Sequence, residues 1–195
     1  MATQQSSSKD LKKLIERIAT DAPPEAVPQW AFDAEDPSEF PISINRDGSW
    51  HHQGSPISRK SMCKLFSSVL RRTDDGRFFL VTPAEQGRIT VEDAPFVAVE
   101  ILAEGSGQDQ TLIFRTNLDH FVTVNAEHPI HVIENRKTGE PSPYVLVRDN
   151  LEALILRPQF YQLVEMAEEK EQDGHILFGV WSAGTFFEIG KVGRD

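Results

Sequence analysis

Arg46-Asp47-Gly48-Ser49-Trp50 opens the passage that decides the fold, because the same order of features returns from Arg148-Asp149-Asn150. The first passage runs through a short extended segment, Pro56, an amphipathic helical stripe and Asp75-Gly76 into Phe78-Phe79-Leu80-Val81. The second runs through Leu151 to Leu156, Pro158, another amphipathic stripe and Asp173-Gly174 into Ile176-Leu177-Phe178-Gly179-Val180. The expected fold class is therefore α+β, a duplicated core of curled antiparallel sheets each with one main helix. Two units of one kind imply an interface, and small ligands commonly sit at such interfaces.

The loop Glu104-Gly105-Ser106-Gly107-Gln108 is the expected division. It gives a disordered tail plus short helix over 1–27, an N-terminal α+β domain over 28–104 and a C-terminal α+β domain over 105–195. The Gly/Ser run is too short for a flexible tether, so close-packed halves are expected.

Local patterns fill in the elements. Leu11, Leu14, Ile15 and Ile18 have helical spacing, and Pro23-Pro24 stops that helix. Residues 21 to 41 carry five prolines and read as an extended connection anchored by Trp30. Ile42 and Ile44 alternate with polar residues, and Asp47-Gly48 supplies a hairpin turn onto Trp50. Met62, Leu65, Phe66, Val69 and Leu70 form one stripe, predicting a helix from about Arg59 to Arg72. Short strands at Thr111 to Arg115, Phe121 to Val124, Ile130 to Ile133 and Tyr144 to Val147 read as an antiparallel meander. A second helix begins near Pro158, with Phe160, Leu163, Val164 and Ala167 on its apolar face and an acidic end through Glu168, Glu169 and Glu171. The closing hairpin spans Ile176 to Trp181 and Thr185 to Ile189.

Composition bounds the function. A chain of 195 residues, 39% hydrophobic, can bury roughly 70% of its unfolded surface without disulfides. The lone Cys63 has no intramolecular partner and no signal-peptide pattern precedes the fold, so a cytoplasmic protein is expected. No apolar stretch approaches the ~20 residues that cross a bilayer, so membrane insertion is not expected. The formal net charge of -10 repels nucleic acid, yet two or three local arginines can still hold one small anion.

Motifs exclude more than they assign. His51 and His52 are adjacent on a strand, and His128 and His131 are three apart, so neither pair shares a strand face and no metal site is expected. There is no Gly-x-Ser-x-Gly elbow, no Gly-x-Gly-x-x-Gly and no phosphate loop ending in Gly-Lys-Ser or Gly-Lys-Thr, so no catalytic residue is assigned. Arg115, Arg148 and Arg157 each close an apolar run, where a guanidinium can face phosphate or carboxylate. Ion pairing at a sheet edge is the competing reading of each. Trp181, before Ser182-Ala183-Gly184, is a candidate to stack on a base, with Tyr144 and Tyr161 as companions.

Several ordered strings together resemble a known family. They are Arg46-Asp47-Gly48-Ser49-Trp50, Gly54-Ser55-Pro56-Ile57, Phe79-Leu80-Val81-Thr82-Pro83, Asp93-Ala94-Pro95-Phe96, Arg115-Thr116-Asn117, Glu127-His128-Pro129, Leu151-Glu152-Ala153-Leu154 and Gly179-Val180-Trp181-Ser182. The chain is similar over about residues 28 to 190 to a bacterial family catalogued as domain of unknown function 1285. The resemblance implies a duplicated core whose C-terminal half is pleckstrin-homology-like, a cleft between halves for a nucleotide-like ligand, and a role in signal transduction. It adds Asp93, Asn117 and His128 to Arg115 and Trp181 as ligand-binding candidates. Leu156 stands before Arg157 where a polar residue is expected, which weakens a polar contact there.

The expected function is a non-enzymatic cytoplasmic sensor or adaptor that binds a small anionic, nucleotide-like ligand at the interface of its halves. The alternatives are a protein-protein interaction module, and a hydrolase or transferase acting on a phosphorylated metabolite through His128 or Asp93.

Overall fold

A computed structural model describes residues 30, 32–35, 38–134, 139–172 and 175–192. The expected tail and helix before residue 21, and the Asp173-Gly174 turn, lie outside the described residues. The chain forms two units, residues 1–92 and 93–195.

Among the described residues the first unit is one six-stranded sheet with one helix. Its strands are β1 (Glu39–Ile44), β2 (Trp50–His52), β3 (Ser55–Pro56), β4 (Leu70–Arg72), β5 (Phe78–Val81) and β6 (Gln86–Val91), in the order β3-β2-β1-β6-β5-β4. Ile42 and Ile44 turn inward while Ser43 between them does not, as alternation demands. The hairpin turn forms as expected: Gly48 has φ 78° and Asp47 Oδ1 accepts from the Ser49 amide at 2.9 Å. Helix α1 (Lys60–Ser68) buries Cys63 and Phe66, and Trp50 stacks on Phe66 with centroids 6.0 Å apart. The helix is shorter than the apolar stripe suggested. Leu70–Arg72 pairs instead with Phe78–Leu80, because the Asp75-Gly76 turn brings those segments into register.

The second unit repeats the sheet. Its strands β7 (Phe96–Glu104), β8 (Thr111–Thr116), β9 (Phe121–Thr123), β10 (Ile130–Glu134), β11 (Pro141–Arg148) and β12 (Leu151–Ile155) lie in the order β10-β11-β12-β7-β8-β9. In both sheets two antiparallel triplets join through one parallel pair, β1 with β6 and β7 with β12. The first and last strands of each six-strand run are thus its central neighbours. Antiparallel pairing accounts for the rest of each sheet.

The core is duplicated, but in a different register from the repeat read in the sequence. Strands β1–β6 correspond in topology to β7–β12, so the Gly48 turn matches the connection after β7 rather than the turn at Asp149. Nor do the strands from Thr111 onward form one meander, since β9 and β10 occupy opposite edges. Phe96–Glu104 bonds to β8 and to β12, both in the second unit, so the Gly105 loop is a hairpin connection and the division falls at 92/93. Similar alternation suits parallel and antiparallel neighbours alike, which is why pattern alone could not choose.

The second unit continues beyond its six strands. Helix α2 (Arg157–Glu165) has Pro158 in its first turn and buries Leu163. Instead of an acidic helix end, Glu168–Gln172 is strand β13, followed by β14 (His175–Ser182) and β15 (Thr185–Val192) in a three-stranded antiparallel sheet.

Candidate functional site

The added sheet creates a groove in the C-terminal unit. β10 is an edge of the six-stranded sheet and β15 an edge of the three-stranded one. Between them opens a groove of about 550 Å³, lined by Ile130, His131, Val132 and Glu134 on one side and by Phe186 to Gly190 on the other. Ile130, Phe187 and Ile189 are 5%, 6% and 7% exposed, so the groove has an apolar base. Glu134 and Glu188 are exposed and carry its charge.

Each wall is braced from behind. His131 Nε2 lies 3.4 Å from Glu152 Oε1, and its ring stacks on Tyr144 at 5.4 Å between centroids. The Tyr144 hydroxyl donates to Asp93 Oδ1 at 2.8 Å. On the other wall Phe186 meets Trp181 edge-on at 5.2 Å, and the Lys170 ammonium lies 5.1 Å from the Phe186 ring centre and 5.7 Å from that of Trp181. The Trp181 indole donates to Glu168 Oε2 at 3.1 Å. Gly179 makes room for this corner, since a Cβ there would come within 2.5 Å of the Phe186 ring and 2.4 Å of the Phe187 carbonyl oxygen.

The sequence-derived candidates do not converge as a set. Asp93 and Tyr144 meet, and Trp181 braces the opposite wall of the groove. Arg115 is held by Glu100 at 2.6 Å and Asp119 at 3.1 Å, and the Glu100 hydrogen bond leads in raising its pKa above the usual arginine value. Arg148 pairs with Asp149 at 3.5 Å and Arg157 with Glu140. Asn117 Oδ1 accepts from the Val97 amide at 3.2 Å while the Asn117 backbone N–H donates to the Val97 carbonyl at 2.9 Å, which ties β7 to the turn after β8. His128 Nδ1 lies 3.2 Å from the Leu146 carbonyl, and its amide donates to Asn125 Oδ1 at 3.0 Å, so it fixes a turn.

His131, Glu134, Phe186 and Glu188 escaped the sequence reading as a site. Strand alternation located β10 and β15, but nothing in either segment states that the two are neighbours. Tyr161 stands 63% exposed on α2, outside the groove lining. Trp50 is core, at 2% exposure. Burial pushes the His52 pKa below its ordinary value, favouring the neutral ring. Among the described residues no group of three His, Cys, Asp or Glu side chains is placed to hold a metal ion, and no helix is long and apolar enough to cross a membrane.

The fold and groove define a class: a two-unit α+β protein with a duplicated six-stranded mixed sheet and an added three-stranded sheet. The chain belongs to the DUF1285 family, matching its N-terminal domain, a domain of unknown function, over residues 23–94 and its C-terminal domain, described as a protein of unknown function, over residues 95–189. It is similar to the crystal structure of a DUF1285 family protein from Silicibacter pomeroyi DSS-3, with 41% identity and a TM-score of 0.78 over 90% of this chain and 93% of that one. It is also similar to a DUF1285 family protein from Shewanella baltica OS155, with 26% identity and a TM-score of 0.52 over 65% of this chain and 92% of that one. No curated protein matches the chain.

Proposed function

We propose that the protein is a non-enzymatic interaction module whose C-terminal unit binds a partner segment in the groove between β10 and β15. The carrying observation is the groove itself, an apolar-based opening of about 550 Å³ bounded by two sheet edges. Sheet edges present main-chain donors and acceptors, and extended segments bind such edges by hydrogen bonding while side-chain pockets select sequence. The arginines expected to hold an anion are engaged by carboxylates, which a phosphate would have to displace.

Gly190 supplies the test. It lines the groove, and a side chain added there enters open space. Titration of the isotope-labelled full chain with short extended peptides is expected to move the amide signals of 130–134 and 185–190, and Gly190→Phe to abolish this while leaving the remaining spectrum intact. Shifts confined to other residues would defeat the reading.

A second reading keeps the small anionic, nucleotide-like ligand, favoured by one observation. Lys170 with Trp181 and Phe186 combines an ammonium and two aromatic rings in one corner. Native mass spectrometry followed by thermal shifts against nucleotides and phosphorylated metabolites tests it, and Lys170→Ala should remove any stabilisation found. A cytoplasmic location and a part in signal transduction belong to the proposal as well. Cell fractionation is the direct check of the first, which draws support from the single buried cysteine.

A further inference from the structure

We infer that the segment taken by the β10/β15 groove is an extended stretch of a partner protein in which apolar side chains alternate with lysine or arginine. The inference rests on the interaction-module reading and adds the chemistry of the partner. Three features of the groove carry it.

Its base is apolar, built from Ile130, Phe187 and Ile189, which are nearly buried. A strand sends alternate side chains to opposite sides, so a bound extended segment would place every second residue against that base and the intervening ones toward the rim. The rim charges are Glu134 from β10 and Glu188 from β15, one carboxylate on each edge, and both are exposed. Flanking carboxylates attract a cationic side chain and disfavour an acidic one.

The sheet behind β15 extends the same field. Glu168 and Glu188 are both register partners of Gly179, so the two carboxylates flank one glycine across three strands. In that corner the chain's own Lys170 already covers Phe186 and Trp181, so the carboxylates left to select a partner's cation are those of the rim, Glu134 and Glu188. A second copy of the acidic strand β13, which carries three glutamates and one lysine, would meet like charge there and is a poor occupant.

The experiment uses the full chain and three labelled peptides with identical leucines at alternate positions and lysine, glutamine or glutamate between them. Fluorescence anisotropy is expected to give the lysine peptide roughly three- to ten-fold tighter binding than the glutamine peptide, with the glutamate peptide weakest. Glu134→Gln with Glu188→Gln should bring the lysine peptide to the affinity of the glutamine peptide, and added salt should do the same in part. Both side chains are exposed, so this variant should keep its fold. Equal affinities for all three peptides, with amide shifts still on β10 and β15, would overturn the charge selection and leave the groove reading standing. Absence of binding by every peptide, or shifts elsewhere, would overturn both.

Discussion

Ser182 Oγ accepts a hydrogen bond from the Leu112 amide at 2.9 Å, and both residues are fully buried. The same hydroxyl donates to the Val124 carbonyl at 2.6 Å. One side chain of β14 thereby joins the added sheet to β8 and to the residue following β9. Gln110 reinforces the joint, its side-chain amide donating to the Trp181 carbonyl at 3.0 Å and its carbonyl accepting from Ala183 at 2.9 Å. Because β15 pairs with β14, this joint also positions one wall of the groove.

Ser182→Ala should be costly for that reason. It leaves a buried N–H and a buried C=O without their partner, a loss of about 1–3 kcal/mol. The expected fall in Tm is about 2–4 °C for each kcal/mol in a chain of this size. Urea unfolding of the variant against the parent is the check, and an unchanged midpoint would show that the joint contributes nothing.

Gly179→Ala should also destabilise the C-terminal unit. The new methyl would lie 2.4 Å from a main-chain oxygen of β15, which cannot swing aside as a side chain can. Overpacking of this kind costs about 1–3 kcal/mol. Near-ultraviolet dichroism should lose part of its Trp181 signal along with the fall in Tm.

Arg115→Ala tests the anion reading from the other side. With Glu100 and Asp119 already holding the guanidinium, the variant should leave any nucleotide-induced thermal shift unchanged. A lost shift in the variant would return Arg115 to a ligand site.

Acid should weaken the first hairpin through Asp47. The Ser49 side-chain hydrogen bond leads in lowering its carboxyl pKa below the ordinary 3.8. Since the folded pKa lies below the unfolded one, the stabilisation is present above the unfolded value and is lost as pH falls through the folded value. Unfolding curves measured from neutral pH into the acid limb should show a shallower decline for Asp47→Asn than for the parent. Parallel declines would remove Asp47 from the account.

Cys63 should be silent to thiol reagents in the folded protein. The side chain is 5% exposed, burial pushes the thiol above its ordinary pKa, and the sulfur lies 3.6 Å from the Ile57 carbonyl. Ellman's reagent at mildly alkaline pH should find no thiol before denaturant is added and one afterwards, as the sequence contains a single cysteine.

Of the candidate site, the sequence disclosed fragments. Trp181 stands out for the bend that follows it, Tyr144 as its aromatic companion and Asp93 for its place in a family string; they brace the groove on its two walls. The arginines close apolar runs, but only Arg148 ends a strand, since Arg115 lies inside β8 and Arg157 opens α2. What their guanidiniums meet was invisible, because Glu100 lies on β7 across from Arg115 and Glu140 is separated from Arg157 by a whole hairpin.

The sequence by itself determined most of the strands, the first hairpin turn, the presence of the two described helices and the α+β class, since alternation, helical spacing, Gly48 and Pro158 act over a few residues. Only the tertiary structure decided which strands are neighbours. Leu70–Arg72 continued a helical stripe and became a strand once Phe78–Leu80 lay beside it. The acidic run Glu168–Gln172 became an edge strand because β14 offered it a hydrogen-bonding partner. Pairing direction, the register of the duplication and the meeting of β10 with β15 rest on contacts between distant segments. A period-two pattern fixes which side chains face inward, but it does not say which strand, in which direction, will lie alongside.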